Sequence, residues 1–266
     1  MSEKSSGRVT VPKIVKMKEA GQRISMLTAY DFPTARLLDE SGVDILLVGD
    51  SLAMVVQGHD TTLPVTVEEM IYHATMVTRA AKRALVVVDL PFPENHLGVH
   101  QTVATAGQIL KRSGAQAVKL EGGAEQADVI RGLVSAGIPV MAHVGLRPQS
   151  VHVMGGYKVQ RDEKVLMDDA KAAQDAGAFS IVLECIPSAT AARVTKELKI
   201  PTIGIGAGPE CDGQVLVIYD LIGLTSGYVP SFVRQYAQVG ESIRSAVKTW
   251  CADVRQRTFP ASSESF

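Results

Sequence analysis

The feature that most constrains the fold is a repeated alternation along the chain between short apolar runs and longer helical patterns. The apolar runs are rich in β-branched residues, which is typical of parallel strands buried on both faces. Eight such runs within 266 residues predict a (β/α)8 barrel, a fold of about 250 residues. An open doubly wound sheet is the alternative that the same pattern allows. The predicted strands are ISMLTAY (24–30), DILLVGD (44–50), ALVVVDL (84–90), QAVKLE (116–121), PVMAHVGL (139–146), FSIVLECI (179–186), PTIGIG (201–206) and QVLVIY (214–219).

The segments between these strands place apolar residues three and four positions apart, which predicts amphipathic helices. Residues 11–21 predict a helix that covers the barrel floor, and residues 236–260 predict further helix outside the repeat. Since no linker or low-complexity stretch divides the chain, residues 1–266 are predicted to form a single barrel domain with these two additions. Three helical segments end in a glycine where a left-handed cap is expected: Gly114, Gly137 and Gly177.

Acidic residues stand at the ends of four predicted strands. Asp50 ends the second strand and Asp89 the third, while Glu121 ends the fourth and Glu184 lies near the end of the sixth. A single acid in such a place is usually a loop residue or a helix N-cap. In a barrel, however, all of them would lie on the C-terminal rim, where catalytic groups collect. Like charges there destabilise each other unless a cation holds them, and such oxygen ligands suit Mg²⁺ or a similar hard cation.

Two further side chains accompany these acids. Lys119 lies two residues before Glu121 and is expected on the same face of the strand. There it could pair with the carboxylates, hold a substrate carboxylate or form a Schiff base. His143, inside the fifth strand, is interpreted as a satisfied core residue in slight preference to a catalytic one.

A glycine-rich stretch, GIGAGPECDG (204–213), resembles a phosphate-binding loop. A dinucleotide fingerprint must open a helix, whereas here Pro209 is followed by another strand pattern. We therefore interpret the stretch as a tight loop on the rim.

Composition excludes several classes of partner. With 27 basic and 28 acidic residues, no positive excess drives binding to a phosphate backbone, so nucleic acid is not expected. No apolar run reaches the roughly 18 residues of a membrane span, and the N-terminus has no signal-peptide core. The cysteines are odd in number and widely spaced, which fits reduced thiols in a cytoplasmic protein: Cys185, Cys211 and Cys251.

Long blocks, from about residue 8 to the C-terminus, carry a family resemblance: TAYDFPTA, VGDSLAMVVQGHDTTLPVTVEEMIYH, VVVDLPF, AVKLEGG, MAHVGLRPQSVHVMGGYKVQ, VLECIP and IPTIGIGAGPECDGQVLVIYDLIGL. They resemble the ketopantoate hydroxymethyltransferase (3-methyl-2-oxobutanoate hydroxymethyltransferase) family. The resemblance implies a (β/α)8 barrel of the phosphoenolpyruvate-binding superfamily and a requirement for Mg²⁺. It also implies transfer of a hydroxymethyl group from 5,10-methylenetetrahydrofolate to 3-methyl-2-oxobutanoate, the first committed step toward pantothenate and coenzyme A. A cytoplasmic homo-oligomer, commonly a decamer, is implied as well.

The resemblance also implies roles for individual residues. Asp50 and Asp89 are similar to the direct metal ligands, and Glu121 to a third acid that reaches the metal directly or through water. Glu184 is similar to the proton acceptor. The contacts to the 2-oxo acid that the resemblance implies are Asp50, Ser51, Asp89 and Lys119.

The chemistry that follows is removal of the C3 proton by Glu184 and attack of the resulting enolate on the methylene carbon of the folate. Leu183 and Cys185 flank Glu184, so we expect apolar surroundings, which would make this carboxylate a better base. Lys119 would add positive charge near the enolate or the carboxylate of the substrate.

Two loops depart from the family pattern, and two other functions stay open. Residues 93–101 (PENHLGVHQ) and Arg161 stand where the family has other residues, so the contacts to folate are less well defined than the metal site. A related barrel lyase acting on 2-oxo acids is one alternative, although no cysteine-bearing basic lid segment of the kind such enzymes have occurs here. A barrel that binds a ligand without catalysis is the other.

Overall fold

Eight parallel strands close into a barrel in the computed structural model, which describes residues 7–225 and 227–266. Each strand pairs with the next along the chain, and the first pairs with the last, with Met26 opposite Val215. The predicted (β/α)8 barrel is confirmed, and the closed ring excludes the open sheet. The strands are β1 Ile24–Thr28, β2 Ile45–Val48, β3 Leu85–Asp89, β4 Ala117–Glu121, β5 Val140–Gly145, β6 Ser180–Glu184, β7 Thr202–Ile205 and β8 Gly213–Leu216.

The strands are shorter than the predicted runs at several ends. The first run was predicted to reach residue 30, but β1 ends at Thr28. The last was predicted over 214–219, yet β8 ends at Leu216 and a helical turn begins at Ile218. Apolar residues at these ends pack in the loops or in the following turn, and hydrophobicity alone does not separate those places from a strand.

Helices separate most of the strands. The left-handed caps predicted at three glycines are confirmed, for example at Gly114, where φ is 79°. The longer helix between β2 and β3, Val67–Ala80, begins with a capping box between Thr66 and Glu69, which satisfies its first backbone N–H groups. The helices are α1 Val11–Glu19, α2 Phe32–Glu40, α3 Leu52–Val55, α4 Val67–Ala80, α5 Val99–Ser113, α6 Ala127–Ser135, α7 Val151–Met154, α8 Glu163–Asp175, α9 Ser188–Glu197, α10 Ile218–Leu221 and α11 Val239–Gln256.

The helix predicted at the N-terminus is α1. The side chain of Thr10 accepts a hydrogen bond from the backbone N–H of Lys13. Pro12 stands in the first turn, where a backbone N–H would have no partner within the helix, so its missing N–H costs no hydrogen bond. Ile14 and Met17 of α1 are buried in the same apolar cluster as the inward-facing residues near the start of the strands. The helix therefore contributes directly to the barrel core.

The chain divides into two compact units, one up to Val217 and one from Ile218 to Phe266. The first contains the barrel, and the second contains α10 and α11. Within the second unit, the rings of Trp250 and Phe259 meet edge to face at 6.4 Å. The prediction of one domain over residues 1–266 stays a prediction, and residues 1–6 and 226 lie outside the described residues.

None of the helices within residues 7–225 and 227–266 is long and apolar enough to cross a membrane.

Candidate active site

The polar groups of the candidate site continue the inward faces of four strands. Side chains two positions apart share a face of a strand, and the lower inward residues belong to the apolar core. The strands therefore change from apolar to ionisable as they approach the C-terminal rim. The apolar residue and the polar one that follows it are Val87 and Asp89 on β3, Ala117 and Lys119 on β4, Met141 and His143 on β5, and Val182 and Glu184 on β6.

The sequence Gly49-Asp50-Ser51 follows β2 where the chain passes close to Asp89. A Cβ atom at Gly49 would lie only 2.7 Å from Ser51 Oγ, so a side chain at this position would displace its neighbours. The absence of a side chain lets the backbone N–H of Asp50 donate to Asp89 Oδ2 at 3.1 Å. Ser51 Oγ in turn shares a hydrogen bond of 2.9 Å with the hydroxyl of Tyr30.

Lys119 forms a buried ion pair with Asp89, with 2.5 Å between Nζ and Oδ1. Burial by itself would lower the pKa of Lys119, but the charges of Asp89, Asp50 and Glu121 outweigh burial and raise it. Among the three roles open to Lys119, pairing with carboxylates is the one observed in the structure. A lysine held charged in this way is poorly suited to the Schiff-base role, which needs a free amine.

Burial and mutual repulsion raise the pKa values of two further carboxylates near Lys119. Burial, and then the charge of Asp89, raise the pKa of Asp50 to about 7, against the opposing effects of Lys119 and Gln149. Burial, followed by the charge of Asp50, raises the pKa of Glu121 well above its usual value. We call Asp50, Asp89, Lys119 and Glu121 the acid–lysine cluster. One lysine is too little positive charge for three buried carboxylates, so the cluster favours a further cation.

The donor chemistry of the acid–lysine cluster fits a hard divalent ion. Glu121 Oε1 is buried and finds no hydrogen-bond partner among the described residues. Across residues 7–225 and 227–266, no three His, Cys, Asp or Glu side chains are already gathered tightly enough to hold a metal by themselves. Mg²⁺ does not require such a cage, since it usually takes one or two carboxylates and completes its shell with water and ligand oxygens.

Gln149 forms hydrogen bonds to two carboxylates of the cluster, Asp50 and Glu121. No sequence pattern had pointed to this residue. Its side-chain Nε2 donates to Asp50 Oδ2 and to the carbonyl oxygen of Leu90, both at 2.9 Å. Its backbone N–H donates to Glu121 Oε2 at 3.0 Å. Two acceptors around Nε2 fix the orientation of the amide, because the reverse orientation would oppose oxygen to oxygen. The available signal was its place just past the fifth strand, in the 3₁₀ turn Pro148–Ser150.

His143 lies between two acids of the rim, so its predicted burial is confirmed, while the expectation that its ring nitrogens are satisfied is wrong. The residue is buried, but neither ring nitrogen has an aligned hydrogen bond within the described chain. Nε2 lies 3.2 Å from Glu184 Oε2, and Nδ1 lies 3.7 Å from Glu121 Oε1. Burial, and then the charge of Lys119, lower the pKa of His143, which Glu184 opposes. The position inside an apolar strand gave no sign of these acids, because they come from neighbouring strands.

The apolar surroundings expected for Glu184 are also corrected by this contact. The side chain of Glu184 is 16% exposed and its carboxylate faces His143. Adjacent residues in a strand point to opposite faces, so the apolar character of Leu183 and Cys185 does not predict the surroundings of the carboxylate. A partly open carboxylate beside an imidazole can exchange protons with a ligand in the barrel mouth.

Of the two segments with atypical sequences, the one that contains residues 93–101 contacts the end of β4. In the 93–101 loop, Asn95 Nδ2 donates to the backbone carbonyl of Glu121 at 2.8 Å. Arg161 is exposed just before α8. Most of the glycine-rich stretch 204–213 forms the loop between β7 and β8, so the prediction that it opens no helix is confirmed. The end of the stretch does not lie on the rim as predicted, because the carbonyl of Asp212 accepts from the backbone N–H of Ile24 at the start of β1.

Comparison with known sequences gives a match over nearly the whole chain. The sequence model of the family described as ketopantoate hydroxymethyltransferase matches residues 8–262. The 3-methyl-2-oxobutanoate hydroxymethyltransferase of Rhodopirellula baltica is 58% identical over 265 residues, which cover 100% of this chain and 98% of that protein. The enzyme of the same name from Desulforapulum autotrophicum is 55% identical over 97% of this chain and 98% of its own length.

Comparison with solved structures shows the same barrel in more distant proteins. A 2,3-dimethylmalate lyase, described as a member of the PEP mutase/isocitrate lyase superfamily, has a TM-score of 0.61 at 18% identity and covers 96% of this chain and 91% of its own. A phosphonopyruvate hydrolase crystallised with oxalate and Mg²⁺ has a TM-score of 0.62 at 12% identity, with coverage of 96% and 93%. At these identities the likenesses support the fold alone.

Proposed function

The chain belongs to the ketopantoate hydroxymethyltransferase family, and we propose that it transfers a hydroxymethyl group from 5,10-methylenetetrahydrofolate to 3-methyl-2-oxobutanoate. The products are ketopantoate and tetrahydrofolate, with water supplying the hydroxyl oxygen. The observation that carries the proposal is the acid–lysine cluster, in which Lys119 alone faces three buried carboxylates. A small 2-oxo acid with a divalent cation would complete such a group.

Asp50 and Asp89 are the proposed ligands of Mg²⁺, and Glu121 reaches the ion directly or through water. The free Oε1 of Glu121 and the raised pKa of Asp50 support this assignment, because both mark carboxylates that lack a positive partner. Mg²⁺, when bound, supplies Lewis-acid polarisation of the 2-oxo group.

Lys119, Ser51, Asp50 and Asp89 are the proposed contacts to the 2-oxo acid. The positive charge of Lys119 is fixed by its bond to Asp89, so it stabilises negative charge developing on a substrate oxygen without first having to move into place. The hydroxyl of Ser51 is oriented by Tyr30.

Glu184 is the proposed base that takes the proton from C3 of the 2-oxo acid. Its partial exposure supports the assignment, because a base must reach its proton and must not be consumed by a fixed partner. His143 Nε2, at 3.2 Å without hydrogen-bond alignment, would restrict the position of this carboxylate. The carbanion at C3 then attacks the methylene carbon that the folate presents from the barrel mouth.

The test is formation of ketopantoate from 3-methyl-2-oxobutanoate and methylenetetrahydrofolate, with Mg²⁺ or with EDTA. The proposal predicts turnover with Mg²⁺ and its loss with EDTA, restored by added Mg²⁺. A second assay omits the folate and follows exchange of the C3 proton with D₂O by NMR. Failure of both assays in a folded preparation would contradict the proposal and favour a barrel with another ligand.

The resemblance to the family also supports a cytoplasmic homodecamer as part of the proposal. Cys185, Cys211 and Cys251 are free thiols, which is consistent with a reducing compartment. Sedimentation equilibrium would measure the assembly, and a monomer at micromolar concentration would contradict the decamer.

A further inference from the structure

The segment 151–161, which we call the mouth segment, reaches across the open end of the barrel. It follows β5, and the hydroxyl of Tyr157 donates to the sulfur of Met54 at 3.6 Å. Met54 belongs to α3, which begins directly after Asp50 and Ser51 and thus follows the C-terminal end of β2. Near its other end, the backbone N–H of Gln160 donates to the carbonyl of Cys185 at 3.0 Å, next to Glu184.

The order of the strands in the barrel shows where the contact between Tyr157 and Met54 lies. β5 pairs with β4 and β6, whereas β2 pairs with β1 and β3, so segments following β5 and β2 can touch only across the C-terminal mouth. The electrostatic surroundings of Tyr157 agree with this position. Burial, followed by the charges of Asp50, Glu184 and Glu121, raises the pKa of Tyr157. The acids that follow or end β2, β4 and β6 therefore all act on the phenol of Tyr157.

The chemistry of the mouth segment differs from that of the acids beneath it. Tyr157 is 49% exposed, and Val153 and Val159 are exposed as well. Lys158 and Arg161 are also exposed, and residues 151–161 contain no Asp or Glu. The segment thus presents an aromatic ring, aliphatic surface and positive charge together, above a site that is rich in carboxylates.

We propose that the mouth segment binds the folate co-substrate, with Tyr157 packing on the pterin ring and with Lys158 and Arg161 attracting the glutamate carboxylates. This inference rests on the proposed function and names the co-substrate subsite. Apolar side chains fill the barrel interior, so a molecule of this size can deliver its methylene carbon only from the mouth. The planar pyrimidine part of the reduced pterin can stack on a tyrosine, and an anionic tail prefers a surface with cations and no acids.

The first experiment separates the ring of Tyr157 from its hydroxyl. Tyr157→Leu should weaken tetrahydrofolate binding, measured by calorimetry, by about tenfold, the size of one lost aromatic stacking contact. The KM for methylenetetrahydrofolate should rise by a similar factor. Tyr157→Phe keeps the ring but loses the bond to Met54, and it should stay within about threefold of the parent. Tyr72→Leu, an exposed tyrosine on α4, is the matched control and should change neither value.

The second experiment tests the charges with folates that differ in tail length. Lys158→Gln and Arg161→Gln should each raise the KM of a triglutamate form more than that of the monoglutamate, and added salt should reduce the difference. Lys164→Gln removes an exposed lysine on α8 that pairs with Asp168. It should affect the two forms equally.

The folate-free exchange of the C3 proton distinguishes failure of this inference from failure of the proposed function. If the parent neither exchanges the proton nor makes ketopantoate, the proposed function is wrong and the subsite falls with it. If the parent is active but Tyr157→Leu binds folate like the parent, only the subsite is wrong. If Tyr157→Phe is as weak as Tyr157→Leu, the contact to Met54 matters rather than stacking. A loss of exchange as large as the loss of folate affinity would show that the ring covers the 2-oxo acid, which would also overturn the proposal.

Discussion

The acid–lysine cluster and the Glu184–His143 pair lie on the same rim but hold their charges in different ways. Asp89 is bonded to Lys119 through one oxygen and to the backbone of Asp50 through the other. Glu184 is partly exposed and has a close but unaligned neighbour in His143. Fixed charges suit binding because they need not reorganise, whereas a proton acceptor needs a free lone pair. One side of the rim thus has the fixed charges that the proposed binding of ligands needs, and the other has the partly open carboxylate that the proposed proton transfer needs.

The largest expected effect tests the proton-transfer side. Glu184→Gln should slow the folate-free exchange of the C3 proton by about 100- to 10,000-fold, because the general base is lost. Binding of Mg²⁺ and of the 2-oxo acid should stay near the parent values by calorimetry. Glu210→Gln, in the loop between β7 and β8, changes an exposed residue; it is the control and should exchange normally. Loss of metal binding in Glu184→Gln would instead make Glu184 a ligand and abolish the contrast between the two sides.

The binding side is tested most strongly at Asp89. Asp89→Asn keeps the shape but leaves Lys119 without its buried partner, which should lower the free energy of unfolding by about 3–5 kcal/mol. Mg²⁺ affinity should fall as well, because the charge of a proposed ligand is lost. The double variant Asp89→Asn/Lys119→Met should recover much of the stability in urea unfolding, but not the metal affinity. Parent-like Mg²⁺ affinity and activity in Asp89→Asn would show that Asp89 is not a ligand.

A smaller effect is expected at Gln149, which holds the cluster in place. Gln149→Met keeps the volume but removes the donor to Asp50 and to the carbonyl of Leu90. A hydrogen bond to a charged group contributes about 1.5–3 kcal/mol, so Mg²⁺ affinity should fall by roughly 10- to 100-fold. Gln116→Met is the control, since Gln116 makes two backbone hydrogen bonds just before β4, at the opposite end of the barrel. If both variants lose stability but neither loses Mg²⁺ affinity, Gln149 has only a structural role.

The smallest effect concerns pH. Because the pKa of Asp50 is raised to about 7 in the protein without metal, protons compete with Mg²⁺ below neutrality. The apparent affinity for Mg²⁺ should be about tenfold weaker at pH 6 than at pH 8. An affinity that is flat over this range would show that Asp50 is already ionised at pH 6.

The same titration affects the stability of the metal-free protein. The folded pKa of Asp50 lies above its unfolded value of 3.8, so the native state binds more protons than the unfolded state between these values. Its contribution to the free energy of unfolding should therefore fall as pH rises from about 4 to about 7. Urea unfolding in EDTA measures the slope, which Asp50→Asn should reduce.

The sequence predicted the barrel and most of the candidate site because both depend on short-range periodicity. Alternation between strands and helices specifies the fold class, and the step of two residues from Val87 to Asp89 or from Lys119 to Glu121 places an acid on the inward face. The meeting of Asp50, Asp89 and Glu121 on one rim then follows from the parallel barrel itself.

Contacts between non-neighbouring segments could not be predicted in this way. Gln149 contacts Asp50 because the turn that follows β5 brings it over the rim. No local sequence pattern predicts the direction of that turn. The surroundings of His143 and Glu184 are set by side chains on other strands, so their sequence neighbours were poor guides. The surroundings of both side chains had been predicted from the residues next to them in the chain, which are not the residues next to them in space.

The pairing of β1 with β8 has a consequence for how copies of this chain can meet. An open sheet exposes the backbone N–H and C=O groups of two outer strands, which can recruit a strand from another molecule. In this ring every strand has a partner on both sides, so no such template exists in the barrel. A contact between copies that uses the barrel would therefore be made by its helices and loops, a kind of surface that can be changed residue by residue without disturbing the strands that carry the acids.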